Sequence, residues 1–508
     1  MLFSLLLNPT TMRIQSFIII ISAFFTLNLS AQISMEEYKK KRKAELEQYK
    51  NRVKTEFEKY REKRNSEFAK LISQRWKAIQ DYKGLEPPVK PEPVKPIIKD
   101  RNEPKIPPVK IPIDKITKIP KPEKRVPLNI PTDTIPQDEC KSVFSSTFYG
   151  AQIRIYSDKE DIRIKLKSID EQEIGRAWNE LSDGRMEEVV NNFLIHRERM
   201  RLNDYTFAIM VGKLCYGYYS LNKEGEGGRN EAVLMHAYVL AQCGYDVKIA
   251  RKNSDLFLLL AIRETVYKKN YLTIGNKRYY IIEEYGGKGS YYTFTHDFSP
   301  MSQSCSMQIS ERIQLNDFAK ESKEKIFASK KYPDLAIKAS VDINLMKLYN
   351  DYPMMDWQLY AKTPMSISLE NKLLPTLRQM TDGKSKEEAT GIILNLVQTA
   401  FEYKTDEEQF GYERPLFVDE LFYYNYSDCE DRAILFSYLV RKVLNLDVVL
   451  LYYPNHLTTA VKLPSYNKGD YVSLNGQRYT VCDPTYINAG IGEAMPQFKN
   501  VKAKVIEL

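Results

Sequence analysis

From Met35 to Tyr82 apolar residues return on an eleven-residue beat. Tyr38, Tyr49 and Tyr60 mark one line, and Leu46, Phe57 and Phe68 a second. With Val53, Leu71, Ile79 and Tyr82 the spacing runs 3-4-4, and Arg42, Arg64 and Arg75 take polar steps. Eleven residues over three turns is about 3.67 per turn, the period of a straight helix or a gently right-handed coil. The pattern predicts one long helix over 35–84, reaching roughly 70 Å. Its stripe needs a partner. Self-association through the helix is the favoured reading, and a helix lying on a membrane surface is the second.

The flanks of this helix differ from it and from each other. Ahead of it, Arg13 precedes "IQSFIIIISAFFTLNLSA", an apolar run ending in small residues. Residues 1–31 therefore read as an export signal, with an uncleaved membrane anchor as the alternative. Behind it, 14 of the 25 prolines fall between Pro87 and Pro136. Proline fixes φ and removes donors, so 85–137 reads as an extended, semi-rigid linker.

From about Gln137 the patterning is globular. "AQIRIYS" (151–157) and "DIRIKLKSI" (161–169) alternate as strands do, while 187–200 and 205–221 carry helical periods. "RNEAVLMHAYVLAQCGYDVKIA" then reads as helix, Gly244 stop and strand, and "EDRAILFSYLVRKVLNLDVVLL" has the same organisation. Asp246-Val247 matches Asp447-Val448 at an offset of 201, and "LTIGNKRYYIIE" lies over "VSLNGQRYTVCD" at an offset of 200. Both of the latter are hairpins with Gly-Asn or Asn-Gly at the turn. The chain thus reads as a diverged internal repeat, 138–289 and 370–508, joined by a strand-rich region 290–369.

Charge adds to the picture at the N-terminal arm only. Residues 35–137 hold 27 Lys/Arg against 16 Asp/Glu, a balance of +11, while the whole chain carries +9. On an exported protein a basic arm points to anionic lipid or envelope polymer, in the periplasm or cell envelope, rather than to nucleic acid. A merely solvated arm is the alternative.

The chemistry falls in the second copy. Cys429 begins a helix behind the capping candidates Ser427 and Asp428. His456 follows a strand and a Pro-Asn turn, and Asp483 ends the strand "RYTVC". A helix N-terminus favours a thiolate, an imidazole can take the thiol proton, and a carboxylate can orient the ring. Of the four histidines, only His456 lies in this copy. Cys482 alternates away from Asp483 and takes a core role. Glu430 and Asp431 suit the first helical turn rather than the chemistry. Cys140, Cys215, Cys243 and Cys305 allow three pairings between which the sequence does not choose.

"DCEDRA", "YPNHLTTAV" and "YTVCDPTY" together resemble the Cys–His–Asp signature of the transglutaminase-like superfamily, most of all its bacterial exported cysteine proteinases. The resemblance runs over roughly 370–498. It implies an α+β, papain-like core in which a helix bearing the cysteine packs on an antiparallel sheet. Cys429 would be nucleophile, His456 base and Asp483 the orienting acid. Leu457-Thr458-Thr459 stand where many members have an aromatic residue, and the oxyanion tryptophan of animal transglutaminases has no evident counterpart. Hydrolysis of a peptide or isopeptide amide is therefore expected ahead of cross-linking. Gln409 and Tyr412 are candidates for oxyanion or substrate contact. In the first copy the three positions fall on Gly228, Asp255 and Glu283, a catalytically dead sibling. No Cys/His spacing suggests zinc and no cofactor is expected, with a calcium requirement left open. A non-catalytic envelope-binding module is the competing reading, and a transamidase the third.

Overall fold

A helix runs from Pro9 to Ile72 in the computed structural model. The structure describes residues 9–87, 95–100, 107–118, 141–157, 161–220, 228–283, 289–298, 302–315 and 320–508, with side chains from Glu37 onward except those of 141–143. The side chains on which the export-signal reading of 1–31 rests, and Cys140, lie outside that set. Residues 1–67 and 68–508 form two units. In the first, Tyr38, Leu46, Tyr49, Val53, Phe57 and Tyr60 are all exposed. Arg42–Glu45 (3.7 Å) and Arg64–Glu67 (3.2 Å) pair along the helix surface. No helix among the described residues is long and apolar enough to cross a membrane.

The helix expected to continue to residue 84 stops at Ile72, for a reason that lies in the second unit. Phe68, Ala69, Ile72 and Trp76 are buried there, and Trp76 Nε1 donates to the Ile72 carbonyl at 2.8 Å. The chain then straightens into the strand Lys77–Gln80, which pairs antiparallel with Ser290–Thr293. An open sheet edge offers a ladder of hydrogen bonds, and that outweighs the local helical period.

Two mixed α+β layers follow. In the first sheet the strand order is Tyr271–Ile274, Lys277–Ile281, Asp255–Ala261, Val247–Lys252, Ser290–Thr293 and Lys77–Gln80. In the second it is Tyr471–Leu474, Gln477–Cys482, His456–Val461, Val448–Tyr453, Ala503–Glu507 and Ile113–Thr117. The central register also matches, Val247 facing Leu260 and Val448 facing Val461. At the second hairpin turn Asn475 and Gly476 stand at φ +51° and +75°, the left-handed pair that a two-residue turn needs. Side chains alternate across each sheet. Val448, Leu450, Leu457 and Val461 face the main core, and Val449, Leu451, Tyr453 and Ala460 a second one. The helix Arg229–Gln242 packs on the first sheet and the helix Cys429–Leu439 on the second.

Three segments depart from the sequence reading. Residues 161–169 are extended but join no sheet, because side chains take their amides. Ile162 N donates to Tyr218 Oη (3.3 Å), Ile164 N to Tyr219 Oη (3.0 Å) and Leu166 N to Glu231 Oε1 (3.0 Å). Within the 85–137 linker, residues 107–118 are docked rather than spanning. Ile113–Thr117 pairs parallel with Ala503–Glu507, Val109 N donates to Asp470 Oδ1 at 2.9 Å, and Ile111 is fully buried. These residues lie between prolines and keep their N–H donors. Among its described residues the connecting region holds fewer strands than expected. Ser290–Thr293 belongs to the first sheet, and beyond it lie the ribbon Lys325–Ala328/Ala336–Ala339 and the helices Ile343–Asn350 and Trp357–Lys362.

Candidate active site

Cys429 is the first residue of the helix Cys429–Leu439, with Asp428 at the N-cap in extended conformation. Asp428 N donates to Asp431 Oδ2 at 3.3 Å, so the side chain of Asp431 holds the helix start. Ser427, the other capping candidate, accepts from Arg432 Nε instead (3.2 Å). Arg432 is almost completely buried. Its Nη1 donates to the Gln398 carbonyl (3.3 Å) and its Nη2 to the Phe401 carbonyl (2.8 Å).

Gln398, which sequence reasoning missed, carries this network onward. Its Nε2 donates to the backbone carbonyls of Asp483 (3.0 Å), Tyr486 (2.7 Å) and Ala489 (3.1 Å). One glutamine on the helix Lys386–Thr399 thus ties the Asp483 turn to the helix that starts at Cys429. A buried polar residue in an otherwise apolar helical run was the available signal.

His456 opens the strand His456–Val461, and Asp483 follows the strand Gln477–Cys482. The two strands pair antiparallel, Thr459 facing Cys482. That pairing brings His456 Nε2 to 2.9 Å from Asp483 Oδ2. Asp483 Oδ1 accepts from the amides of Thr485 (2.9 Å) and Tyr486 (3.3 Å), which fixes the carboxylate. The imidazole stacks on Phe498 with centroids 5.1 Å apart. Its Nδ1 is buried with no hydrogen-bond partner among the described residues. Cys429 and His456 are 0% exposed and Asp483 1%.

The thiol itself is engaged differently from the sequence reading. Cys429 Sγ donates to Glu430 Oε2 at 3.3 Å, so Glu430 touches the sulfur rather than serving the helix dipole alone. The cause is local: at the first turn, neighbouring side chains both lean back over the helix end. Further carboxylates lie close. Ligand atoms of Asp428, Cys429 and Glu430, of Asp406, Glu413 and Glu430, and of Asp406, Asp428 and Asp431 each fall within 4.8 Å of one another. The two all-carboxylate groups are hard oxygen donors, of the kind that suits Ca²⁺ or Mg²⁺ rather than zinc. Cys215, Cys243, Cys305, Cys429 and Cys482 are all buried, and Cys215 and Cys482 are free thiols. Burial pushes the Cys215 and Cys482 thiols up.

A cavity of about 490 Å³ lies beside this region, lined by Lys268, Lys269, Glu283, Tyr412, Glu413 and Arg414 among others. Cys429, His456 and Asp483 are not among its lining residues. It approaches the thiol through carboxylates, since Glu413 groups with Glu430 and Glu430 accepts from Cys429. Tyr412 stands on the cavity wall. Gln409, half-buried on the short helix Asp406–Phe410, does not line it.

The equivalent positions of the first sheet hold other chemistry. Gly228 stands at φ +130°, and a Cβ there would meet Tyr219 at 3.0 Å. Asp255 pairs with Arg229 at 3.7 Å. Glu283 accepts from Tyr216 Oη and Leu258 N, both at 2.9 Å, and burial pushes its carboxyl up to about 7. The unfolded carboxyl releases its proton near ~4.3. The folded chain therefore holds a proton that the unfolded chain has lost between those values. Stability from this group is present at acid pH and falls as pH rises towards 7. Asp419, pushed up to about 6 by burial, acts in the same direction. Thermal unfolding between pH 4.5 and 8 should show the decline, and Glu283→Gln should flatten but not abolish it. Identical slopes in the two proteins would rule Glu283 out as a source.

No family model, no curated protein and no solved structure matches this chain.

Proposed function

We propose that the chain is an exported thiol hydrolase of transglutaminase-like type, built from two tandem copies of one fold of which the second is active. The observation that carries the reading is the His456–Asp483 contact at 2.9 Å, tied through Gln398 and Arg432 to the helix that begins at Cys429. The equal strand orders of the two sheets support the tandem reading. In this reading Asp483 holds Nε2, and Nδ1 takes the thiol proton once the imidazole, which starts its strand on the Tyr453–Phe498 face, turns toward the helix end. The thiolate attacks the amide carbon, and the protonated imidazole returns its proton to the leaving amine. Water then takes the amine's place, gives its proton to His456 and releases the acyl group as a carboxylate.

The test is alkylation of the full chain with iodoacetamide near neutral pH, read by peptide mapping. Cys429 should label faster than Cys215 and Cys482, whose thiols are held protonated by burial. His456→Ala should slow Cys429 by about tenfold or more. Asp483→Asn, which keeps an acceptor for the turn amides, should slow it while preserving the fold. Equal labelling in all three proteins would remove the hydrolase.

A second reading is a binding module without chemistry. It is favoured by one observation, the burial of the three side chains away from the lining of the 490 Å³ cavity.

A further inference from the structure

His456 and Cys429 belong to opposite faces of one sheet. Tyr453 faces His456 in the register and lies in the second core, so the imidazole stands on that face. The neighbouring Leu457 faces the main core, to which Cys429 and its helix belong. The segment 484–502 keeps the ring on the far side. Its Phe498 stacks on His456 (centroids 5.1 Å apart, planes 9° apart) and on Tyr453 (4.6 Å, 22°). The segment thus forms a cover over the imidazole.

The cover is held from outside by the proline-rich arm. Lys99 N donates to the Ile487 carbonyl and Ile487 N to the Ile97 carbonyl, both at 2.9 Å. Lys99 Nζ also pairs with Glu493. One carboxylate then fastens arm and cover together. Asp470 Oδ1 accepts from Val109 N and Oδ2 from Ala494 N, each at 2.9 Å, and Lys499 Nζ lies 3.0 Å from Oδ2. Beyond the cover, Ala503 N donates to the Pro112 carbonyl at 2.9 Å, where the ladder of Ile113–Thr117 with Ala503–Glu507 begins. Ile97, Ile111 and Ile113 complete the core that holds Phe498 and Tyr453.

The same arm is the part of the fold that lifts most easily. Ile113–Thr117 is the edge strand of its sheet, bonded on one side, and three of its five residues are exposed. Among the described residues of the arm, Ile111 alone is fully buried. Exposed pairs such as Lys95–Glu408 (3.8 Å) and Lys118–Glu507 (2.8 Å) add little. An edge element with one buried anchor opens at a lower free energy than the sheet behind it. Its prolines fix φ in both states, so docking again costs little chain entropy.

We infer that residues 95–100 and 107–118 act as an intramolecular strap. Docked, they clamp the cover and hold His456 in a resting position. Lifted, they release Phe498 and let the imidazole turn to Cys429. This regulation acts on the proposed site and depends on the hydrolase reading for its catalytic consequence only.

The test uses the full chain with Ile111→Asp, whose carboxylate reaches water only when the strap lifts. Hydrogen exchange over 484–502 should rise at least about tenfold, while the helix Lys386–Thr399 stays protected. Iodoacetamide labelling of Cys429 should rise at least about tenfold as well. That gain should be absent when His456→Ala is added, because the strap lies on the face opposite the sulfur and its lifting does not uncover the thiol. For a variant that does not fold, the unsubstituted chain gives the answer. At low urea its amides over 109–117 and 484–502 should open together and before that helix. Unchanged exchange over 484–502 in the variant, or strap and cover opening only with the whole domain, would overturn the proposal. So would a labelling gain that survives His456→Ala, which would make the arm packing alone. Faster exchange over the cover with Cys429 labelling unchanged would keep the clamp and remove the hydrolase.

Discussion

Arg432→Met is expected to cost about 3–5 kcal/mol of stability, the range for breaking a buried charged network from one side. Arg432 is 1% exposed, and its three donors reach Ser427, Gln398 and Phe401. Methionine fills much of the volume but supplies none of them. Two backbone carbonyls and one hydroxyl would lose a donor inside the core, and Asp428 and Asp431 would lose the cation beside them. The Gln398 bridge would lose its hold on the helix, so the Asp483 turn should loosen together with the helix start. Arg432→Lys should recover part of the loss, because it keeps the charge without the planar fork. Urea unfolding read by circular dichroism gives the size of the effect, and hydrogen exchange over 398–401 and 483–489 locates it. A cost below about 1 kcal/mol, or exchange unchanged in those segments, would show that the network carries little of the fold.

Glu430→Gln is expected to raise the alkylation rate of Cys429 by roughly 10- to 100-fold near neutral pH. The thiol donates to Glu430 Oε2 at 3.3 Å, and that carboxylate is fully buried. A negative charge beside sulfur opposes a second one. Glutamine keeps the shape and removes the charge. The helix N-terminus then favours the thiolate with less opposition. Iodoacetamide labelling across pH 5–9, mapped to the Cys429 peptide, gives the profile directly. Slower labelling in the variant would mean the opposite role, a carboxylate that accepts the thiol proton as a base.

Both predictions concern residues whose types were visible but whose contacts were not. Arg432 and Glu430 sit in the quoted "DCEDRA" stretch. The sequence pointed to the helix start from Ser427-Asp428 ahead of an apolar run, since capping is decided within four residues. It said nothing of Gln398, because a glutamine in an apolar helix declares a partner without naming it. The partners are the carbonyls of Asp483, Tyr486 and Ala489, more than 80 residues on. Tyr412 was singled out and stands on the cavity wall, while Gln409 does not. Arg414 was not singled out.

The sequence by itself determined what is written in short-range periodicity and turn chemistry. These are the helical period as far as Ile72 of a beat read from Met35 to Tyr82, the alternating strand 151–157, the Asn475-Gly476 hairpin and the two hairpins at matching offsets. Each depends on residues within about a dozen positions. The tertiary structure alone decided which edges those strands find. It ended the long helix at Ile72 so that Lys77–Gln80 could pair with Ser290–Thr293, and it docked Ile113–Thr117 beside Ala503–Glu507. It also left 161–169 outside any sheet, because three side chains took the amides first. The reason is the same in each case. An unpaired backbone donor or acceptor takes whichever partner the folded chain brings within about 3 Å, and the local sequence does not encode that partner.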